Sequence, residues 1–255
     1  MYNIKISKSG DILIPFGIFE DNQIEELKLS QAERKNAALI IGKPGAGKSV
    51  LLHTLIQNAV KNYSPDELNL YLIDFSGSGF NRYYQLPHVK ELVSEAARDR
   101  GLSALDALHR EVFKRIELCR THGANSISEL KVNNPSLNIP FLLLIVDEPE
   151  VFFNVENDII SQRSQATIYD LIVKCRKLGI YVILSVQRLS SSICLLKDFI
   201  ANRIVFDSIL NDFSSMITLP IEGTIPQLNV GECIYNTTAG LSYDNHIVKV
   251  FNIIE

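Results

Sequence analysis

The sequence predicts an α/β fold, with a mainly parallel central sheet, helices on both of its faces and an antiparallel hairpin at one edge near the C-terminus. Three observations predict it. Short, mostly apolar runs alternate with amphipathic segments along most of the chain, as strands buried on both faces alternate with covering helices. A glycine-rich octapeptide joins the first internal run directly to a helical pattern. Two strand-like runs near the C-terminus flank a short polar, turn-forming stretch.

Composition agrees with a packed chain. At 255 residues, 46% hydrophobic and 21% charged, the sequence is outside the disordered and low-complexity classes. The longest apolar runs, such as Phe141 to Val146, fall far short of the ~20 residues that cross a bilayer. Lys5, Lys8 and Asp11 interrupt the N-terminal apolar residues, so no signal-peptide core is read there. These features predict a cytoplasmic chain with no direct membrane insertion, recruited to DNA or membrane by other domains or partners. Cys119, Cys175, Cys194 and Cys233 are too dispersed for a zinc ribbon or a redox pair and read as reduced thiols. A net charge of −4 carries no global sign of a nucleic-acid partner, so a DNA role would need local basic loops.

Taken in order, residues 1–35 read as an N-terminal arm and 36–255 as one domain. Ala38 to Ile41 is the first internal strand, and Val50 to Val60 a helix after the octapeptide. Asn69 to Ile73, Pro140 to Val146, Ile180 to Val186 and Arg203 to Phe206 are further strands. Leu102, Leu105, Leu108, Val112, Ile116 and Cys119 recur at helical spacing as one inner stripe. Ile168, Leu171, Ile172 and Cys175 form another, on a helix from about Ile160 to Leu178 that Gly179 would stop. Asn133-Asn134-Pro135 is a loop. Gly231 to Tyr235 and His246 to Phe251 are the terminal hairpin.

The octapeptide Gly42-Lys43-Pro44-Gly45-Ala46-Gly47-Lys48-Ser49 matches the phosphate-loop pattern at every fixed position, and Val50 continues it into the helix. Its glycines let successive backbone N–H groups turn inward toward phosphate, and the helix N-terminus adds positive potential. Lys48 would reach the β and γ phosphates of ATP, and Ser49 would ligate Mg2+. Hydrolysis also needs a carboxylate for the magnesium shell and a group that positions water. Asp147 and Glu148 stand at the carboxyl end of an apolar strand, where open α/β sheets place ligands, and suit these two roles in that order. Gln187, at the end of the next strand, could touch the γ phosphate or the attacking water. Asp74 ends another strand, where it could cap a turn as readily as sense nucleotide.

The ordered set of motifs resembles the FtsK/SpoIIIE branch of ring-forming P-loop motors, over nearly the whole chain from Ile14 to Phe251. Beyond the phosphate loop, the resemblance rests on Asn62 to Leu68, Tyr71-Leu72-Ile73-Asp74-Phe75, Leu86-Pro87-His88-Val89, Asp147-Glu148, Arg176 to Ile180, Ile183 to Gln187 and Gly231 to Asn236. It implies a RecA-like P-loop NTPase fold and a homo-hexamer or other ring with active sites shared between subunits. The ring would hydrolyse ATP and pull a polymer through its centre, double-stranded DNA in segregation translocases or polypeptide in type VII secretion ATPases. Arg176 corresponds to the arginine finger, and Arg203 to another recurrent arginine. Pro149 departs from the family's aromatic residue, and Ser76-Gly77-Ser78-Gly79 lacks a lysine common in that loop. The resemblance covers a bare motor, or one piece of a longer protein.

DNA translocation or remodelling is the leading functional expectation, with Arg82, Lys90, Arg188 and Lys197 as candidate pore or loop cations. A polypeptide-moving secretion motor is the alternative, kept by the acidic balance. A non-hydrolysing assembly module is a third reading, opposed by the presence of both Glu148 and Arg176.

Overall fold

The structure, a computed structural model, describes residues 10–19, 22–33, 35–153, 155, 158–218 and 226–252. Two strands, β1 (Ile12–Phe19) and β2 (Gln23–Leu29), pair antiparallel ahead of the first internal run. β3 (Ala37–Ile41) passes through the glycine-rich loop into α1 (Lys48–Asn62). β4 (Leu68–Asp74) and β5 (Val89–Val93) follow, separated by a turn of 3-10 helix, then α2 (Arg98–Thr121) and α3 (Ile127–Asn133). β6 (Phe141–Asp147) leads into the short α4 (Glu150–Phe153) and α5 (Ile159–Val173). β7 (Ile180–Val186) precedes α6 (Ser191–Lys197), and β8 (Asn202–Val205) precedes α7 (Leu210–Met216). β9 (Glu232–Asn236) and β10 (His246–Val250) complete the sheet.

One sheet runs in the order β2-β1-β10-β9-β8-β3-β7-β6-β4-β5. From β8 to β5 every neighbour is parallel, and the remaining pairings are antiparallel. β3, β4, β6, β7 and β8 are buried at every position. Alternate residues explain this, because each strand feeds two cores. Ile40, Leu72, Ile145 and Ile183 join Leu52 and Leu55 of α1 on one face, while Leu39, Ile41, Leu144 and Leu184 join Leu105 of α2 and Leu171 of α5 on the other. No helix among the described residues is long and apolar enough to cross a membrane.

The C-terminal hairpin extends the sheet beyond β8, as its sequence suggests, and the margin outside it is occupied by β1 and β2. These strands come from the segment read as an arm. Gly17 allows their close approach, because a Cβ there would lie 2.5 Å from Val248 Cγ1 and 2.6 Å from the Lys249 carbonyl oxygen.

Two helical expectations change in detail. In α2 the inner stripe continues through Arg115, 4% exposed, and leaves Ile116 47% exposed. Arg115 is one residue closer to the buried face, and it reaches the carbonyls of Pro140, Leu178 and Gly179 at the ends of the neighbouring strands. α5 stops at Val173, before Gly179. Cys175 remains buried, so the apolar spacing outlasts the helical hydrogen bonding. Gly179, at φ 69°, serves the entry to β7, where a Cβ would stand 2.8 Å from the Phe141 ring.

Candidate nucleotide site

The loop between β3 and α1 leaves Gly47 as the N-cap of α1 at φ 120°, with no side chain capping the first turn. The first N–H groups of a helix lack intrahelical partners, so this end presents donors and positive potential to an anion. Gly45 is also left-handed, at φ 80°. A Cβ on Gly47 would lie 3.1 Å from the Gly231 backbone and from the Phe206 ring, which keeps the loop tight against the C-terminal strands.

A cleft of about 390 Å3 opens over this loop, lined by Pro44, Gly45, Gly47, Lys48, Ser49, Val50, Ser76, Ser78, Asp147, Glu148, Gln187 and Val230. The parallel strands bring the acidic and amide groups there from distant sequence. β6 and β7 pair with Asp147 opposite Ser185, so Glu148 and Gln187 emerge side by side. Gln187 Nε2 donates to Glu148 Oε1. Glu148 holds φ 59°, a left-handed conformation costing on the order of 1–2 kcal/mol in a non-glycine residue, and its N–H donates 2.8 Å to the Ser185 carbonyl.

Lys48 is buried, and its Nζ donates to the carbonyl of Gly42 at 2.5 Å and of Lys43 at 3.3 Å. Burial lowers its ammonium below the usual lysine range, against the opposing pull of Asp147, Glu148 and Glu150. Asp147 is shifted upward, first by burial and then by the nearby charges of Asp74 and Glu148, while the hydrogen bond from Ser76 opposes the rise.

Gly42 and Ala46 are not among the residues lining this cleft, and Ala46 lines an adjoining cavity with Lys43, Pro44, Gly45 and Asp207. Gly42 packs on Phe206, and the Ala46 carbonyl accepts 3.0 Å from Gly231 N. Arg176 is half-buried in the turn after α5. That turn precedes β7, whereas the cleft follows it, so Arg176 belongs to the opposite end of the sheet. The four candidate loop cations also separate. Arg82 and Arg188 follow strands at the cleft end, while Lys90 opens β5 and Lys197 precedes β8 at the other end. Arg203 is buried and clamps the carbonyls of Lys197, Ile200 and Met216.

Asp74 resolves toward the turn. Its carboxylate accepts from the N–H groups of Ser78, Gly79 and Phe80 at 2.9, 2.9 and 3.1 Å. Burial alone would raise it, but these bonds prevail and hold it below the usual range. Sequence reasoning missed Ser76 as a site residue. Its Oγ donates 2.5 Å to Asp147 Oδ2, across 71 residues, and lies 3.2 Å from Asp74 Oδ1. Glu150 was also missed. Burial, with lesser contributions from Glu148 and Asp147, pushes its carboxyl up to about 7.

The donor set suits a magnesium-bound nucleotide. No group of three His, Cys, Asp or Glu residues able to hold a metal occurs among the described residues. Ser49 and Asp147 line the cleft together, and two oxygen donors beside a glycine-rich loop would fit Mg2+ if phosphates and water completed its shell.

A family model described as FtsK/SpoIIIE family matches residues 5–174. DNA translocase FtsK of Borreliella burgdorferi is 28% identical over 234 residues, covering 89% of this chain and 29% of the relative. ESX secretion system protein EccC of Geobacillus thermodenitrificans is 27% identical over 187 residues, covering 71% and 12%. The chain therefore spans less than a third of each of these curated relatives. Among solved structures, the cytoplasmic domain of the type VII secretion ATPase EccC from Thermomonospora curvata has a TM-score of 0.78 at 22% identity, covering 98% of this chain and 29% of that one. The conjugation coupling protein TcpA, in a monomer form with ATPγS, has a TM-score of 0.69 at 18% identity, covering 98% and 68%. These structural likenesses establish the fold.

Proposed function

Since the chain belongs to the FtsK/SpoIIIE family of P-loop ATPase motors, we propose that it hydrolyses ATP with Mg2+ and uses the energy to move a polymer through a ring of its own subunits. The observation that carries this reading is the convergence of Lys48, Ser49, Asp147, Glu148 and Gln187 on one cleft.

The division of labour follows from the chemistry. Lys48 exchanges its loop carbonyls for the β and γ phosphates, and the N-terminus of α1 holds the phosphate oxygens. Mg2+ held by Ser49 and Asp147 would offset charge on the transferred phosphoryl group. Glu148 orients the attacking water, and Gln187, bonded to it, keeps its carboxylate over the cleft. Arg176 acts on a neighbouring subunit. The seven residues of β7, at about 3.3 Å each, span roughly 20 Å between its turn and Gln187, too far for service in its own cleft.

Double-stranded DNA is the proposed polymer, supported by the FtsK relative whose alignment takes in 89% of the chain. A polypeptide substrate is the second reading, favoured by the EccC likeness and the net charge of −4. The motor would work in the cytoplasm, recruited to DNA or membrane by further domains or partners. ATP turnover by assembled subunits, measured with and without long duplex DNA at low salt, tests the proposal. Stimulation that declines steeply with added salt supports DNA threading, because phosphate contacts release counterions. Turnover unaffected by DNA transfers the assignment to polypeptide, and binding without any turnover removes the motor reading.

A further inference from the structure

The first turn of α2 touches both the segment after β4 and the segment after β6, which bring Ser76 and Glu148 to the nucleotide cleft. It follows the carboxyl end of β5, so it lies at the same end of the parallel strands as the cleft. Gly101 is buried in this turn, and a Cβ on it would stand 2.7 Å from the Phe75 ring and 2.8 Å from the Phe152 ring. Those rings meet edge to face, with centroids 4.7 Å apart. Carbon atoms in contact prefer about 3.5–4.0 Å, so a residue without a Cβ is what lets the helix approach the rings this closely.

Both rings belong to residues bonded into the backbone of the site. Phe75 separates Asp74 from Ser76, and its N–H donates 3.2 Å to the Asp147 carbonyl. Phe152 is in α4, which turns directly out of Glu148: Val151 N donates 3.1 Å to the Glu148 carbonyl, and Phe152 N donates 3.0 Å to that of Pro149. Arg98 fixes the far end of α4. Its Nη2 donates 2.9 Å to the Phe152 carbonyl, pairs with Asp158 at the N-cap of α5 and lies 2.9 Å from Ser161 Oγ. Glu148 itself is left-handed at φ 59°, a conformation that persists only where its surroundings over-determine it. On one side the Ser185 carbonyl holds its N–H; on the other the constraint is α4 and, through α4, Arg98 and Gly101.

We propose that the first turn of α2 positions Glu148 for hydrolysis: Gly101 admits the Phe75 and Phe152 rings, Arg98 ties down α4, and together they fix the carboxylate without touching nucleotide. Neither residue is among those lining the cleft. The inference rests on the reading of Glu148 as the group that orients water. Arg98 and Gly101 are positioning residues, so their loss should appear in turnover and leave ATP affinity alone.

ATP turnover by assembled subunits, together with ATP affinity from nucleotide fluorescence on the same preparations, tests it. Arg98→Gln should lower kcat roughly tenfold or more and change the ATP Kd less than about twofold, because small displacements of a catalytic group are costly in rate. Arg98→Lys, which retains a cation for Asp158, should recover part of that loss. Gly101→Ala should act in the same direction; should it fail to fold, Arg98→Gln carries the test, on a side chain that is 22% exposed. The sharpest comparison adds Arg98→Gln to Glu148→Gln. A residue that acts through Glu148 costs nothing further once that carboxylate is gone, whereas a general structural defect lowers the residual rate again by the same factor. Unchanged kcat in Arg98→Gln, an equal loss of ATP affinity, or multiplied losses in the double variant would overturn the inference alone. Near-normal turnover in Glu148→Gln would overturn the functional reading of that residue, and this inference with it.

Discussion

Lys48 and Glu148 share one cleft, but their losses should differ in kind. Lys48→Ala removes the phosphate contact and should abolish measurable ATP binding, whereas Glu148→Gln should bind ATP normally and lower turnover by roughly 100-fold or more. Nucleotide fluorescence and phosphate release separate the two, and near-normal turnover in Glu148→Gln would remove its role. Ser76 stands one bond further out, between Asp74 and Asp147. Ser76→Ala should weaken ATP binding roughly tenfold in magnesium and leave binding in EDTA unchanged, because partners of metal-holding carboxylates act through the metal. Equal losses in both media would make Ser76 a packing residue only. Glu150 makes a prediction about pH. A carboxyl raised from 4.5 to about 7 keeps its proton in the fold, so its contribution is fully favourable below pH 4.5 and is lost as pH rises toward 7. Glu150→Gln should therefore add on the order of 1–2 kcal/mol at pH 8 and almost nothing at pH 4, read from thermal melts at the two values. Little of this coupling is visible in sequence. Asp147, Glu148 and Lys48 are identified by motif, but the Gln187–Glu148 contact spans 39 residues and the Ser76–Asp147 contact 71, and only the strand order brings them together.

Among the elements, the end of α5 matters most to the proposed ring. The periodicity through Cys175 suggests a longer helix, but the backbone turns after Val173 and carries Arg176 on that turn. Arg176→Ala should bind ATP and hydrolyse it at least ~10³-fold more slowly, the scale of a lost arginine finger. Mixing it with Lys48→Ala under assembling conditions should restore part of the activity, because some interfaces then pair an intact phosphate loop with an intact finger. Mixed assemblies that form without recovering turnover would return Arg176 to the role of a surface charge. The elements least legible beforehand were β1, β2 and β5. β5 and β2 occupy the two margins of the sheet, and polar or charged residues such as Lys90, Glu91, Glu25 and Glu26 interrupt the apolar pattern there. Strands covered on both faces announced themselves, since burial at every position leaves an uninterrupted apolar run.

At the scale of the whole molecule, the sequence located the parallel centre, its carboxyl-end cleft and the C-terminal hairpin, while the N-terminal strands β1 and β2 had to be read from pairing. The N-terminal strands join the C-terminal hairpin through Gly17↔Val250 and Ile18↔Lys249, contacts between the two ends of the chain that no local pattern encodes. Val250 N donates 2.9 Å to the Gly231 carbonyl, and Gly231 N donates 3.0 Å to the Ala46 carbonyl of the phosphate loop. Thr54 on α1 adds a 3.1 Å bond to the Phe251 carbonyl. Mechanically, this is a line of tension made almost entirely of backbone. Backbone hydrogen bonds run from β1 through β10 and Gly231 to Ala46 of the glycine-rich loop, so a pull on β1 would have a backbone route to the proposed phosphate site. The grip on nucleotide should consequently respond to strain at the N-terminal hairpin, so that load on one end of the chain is sensed where chemical energy enters it.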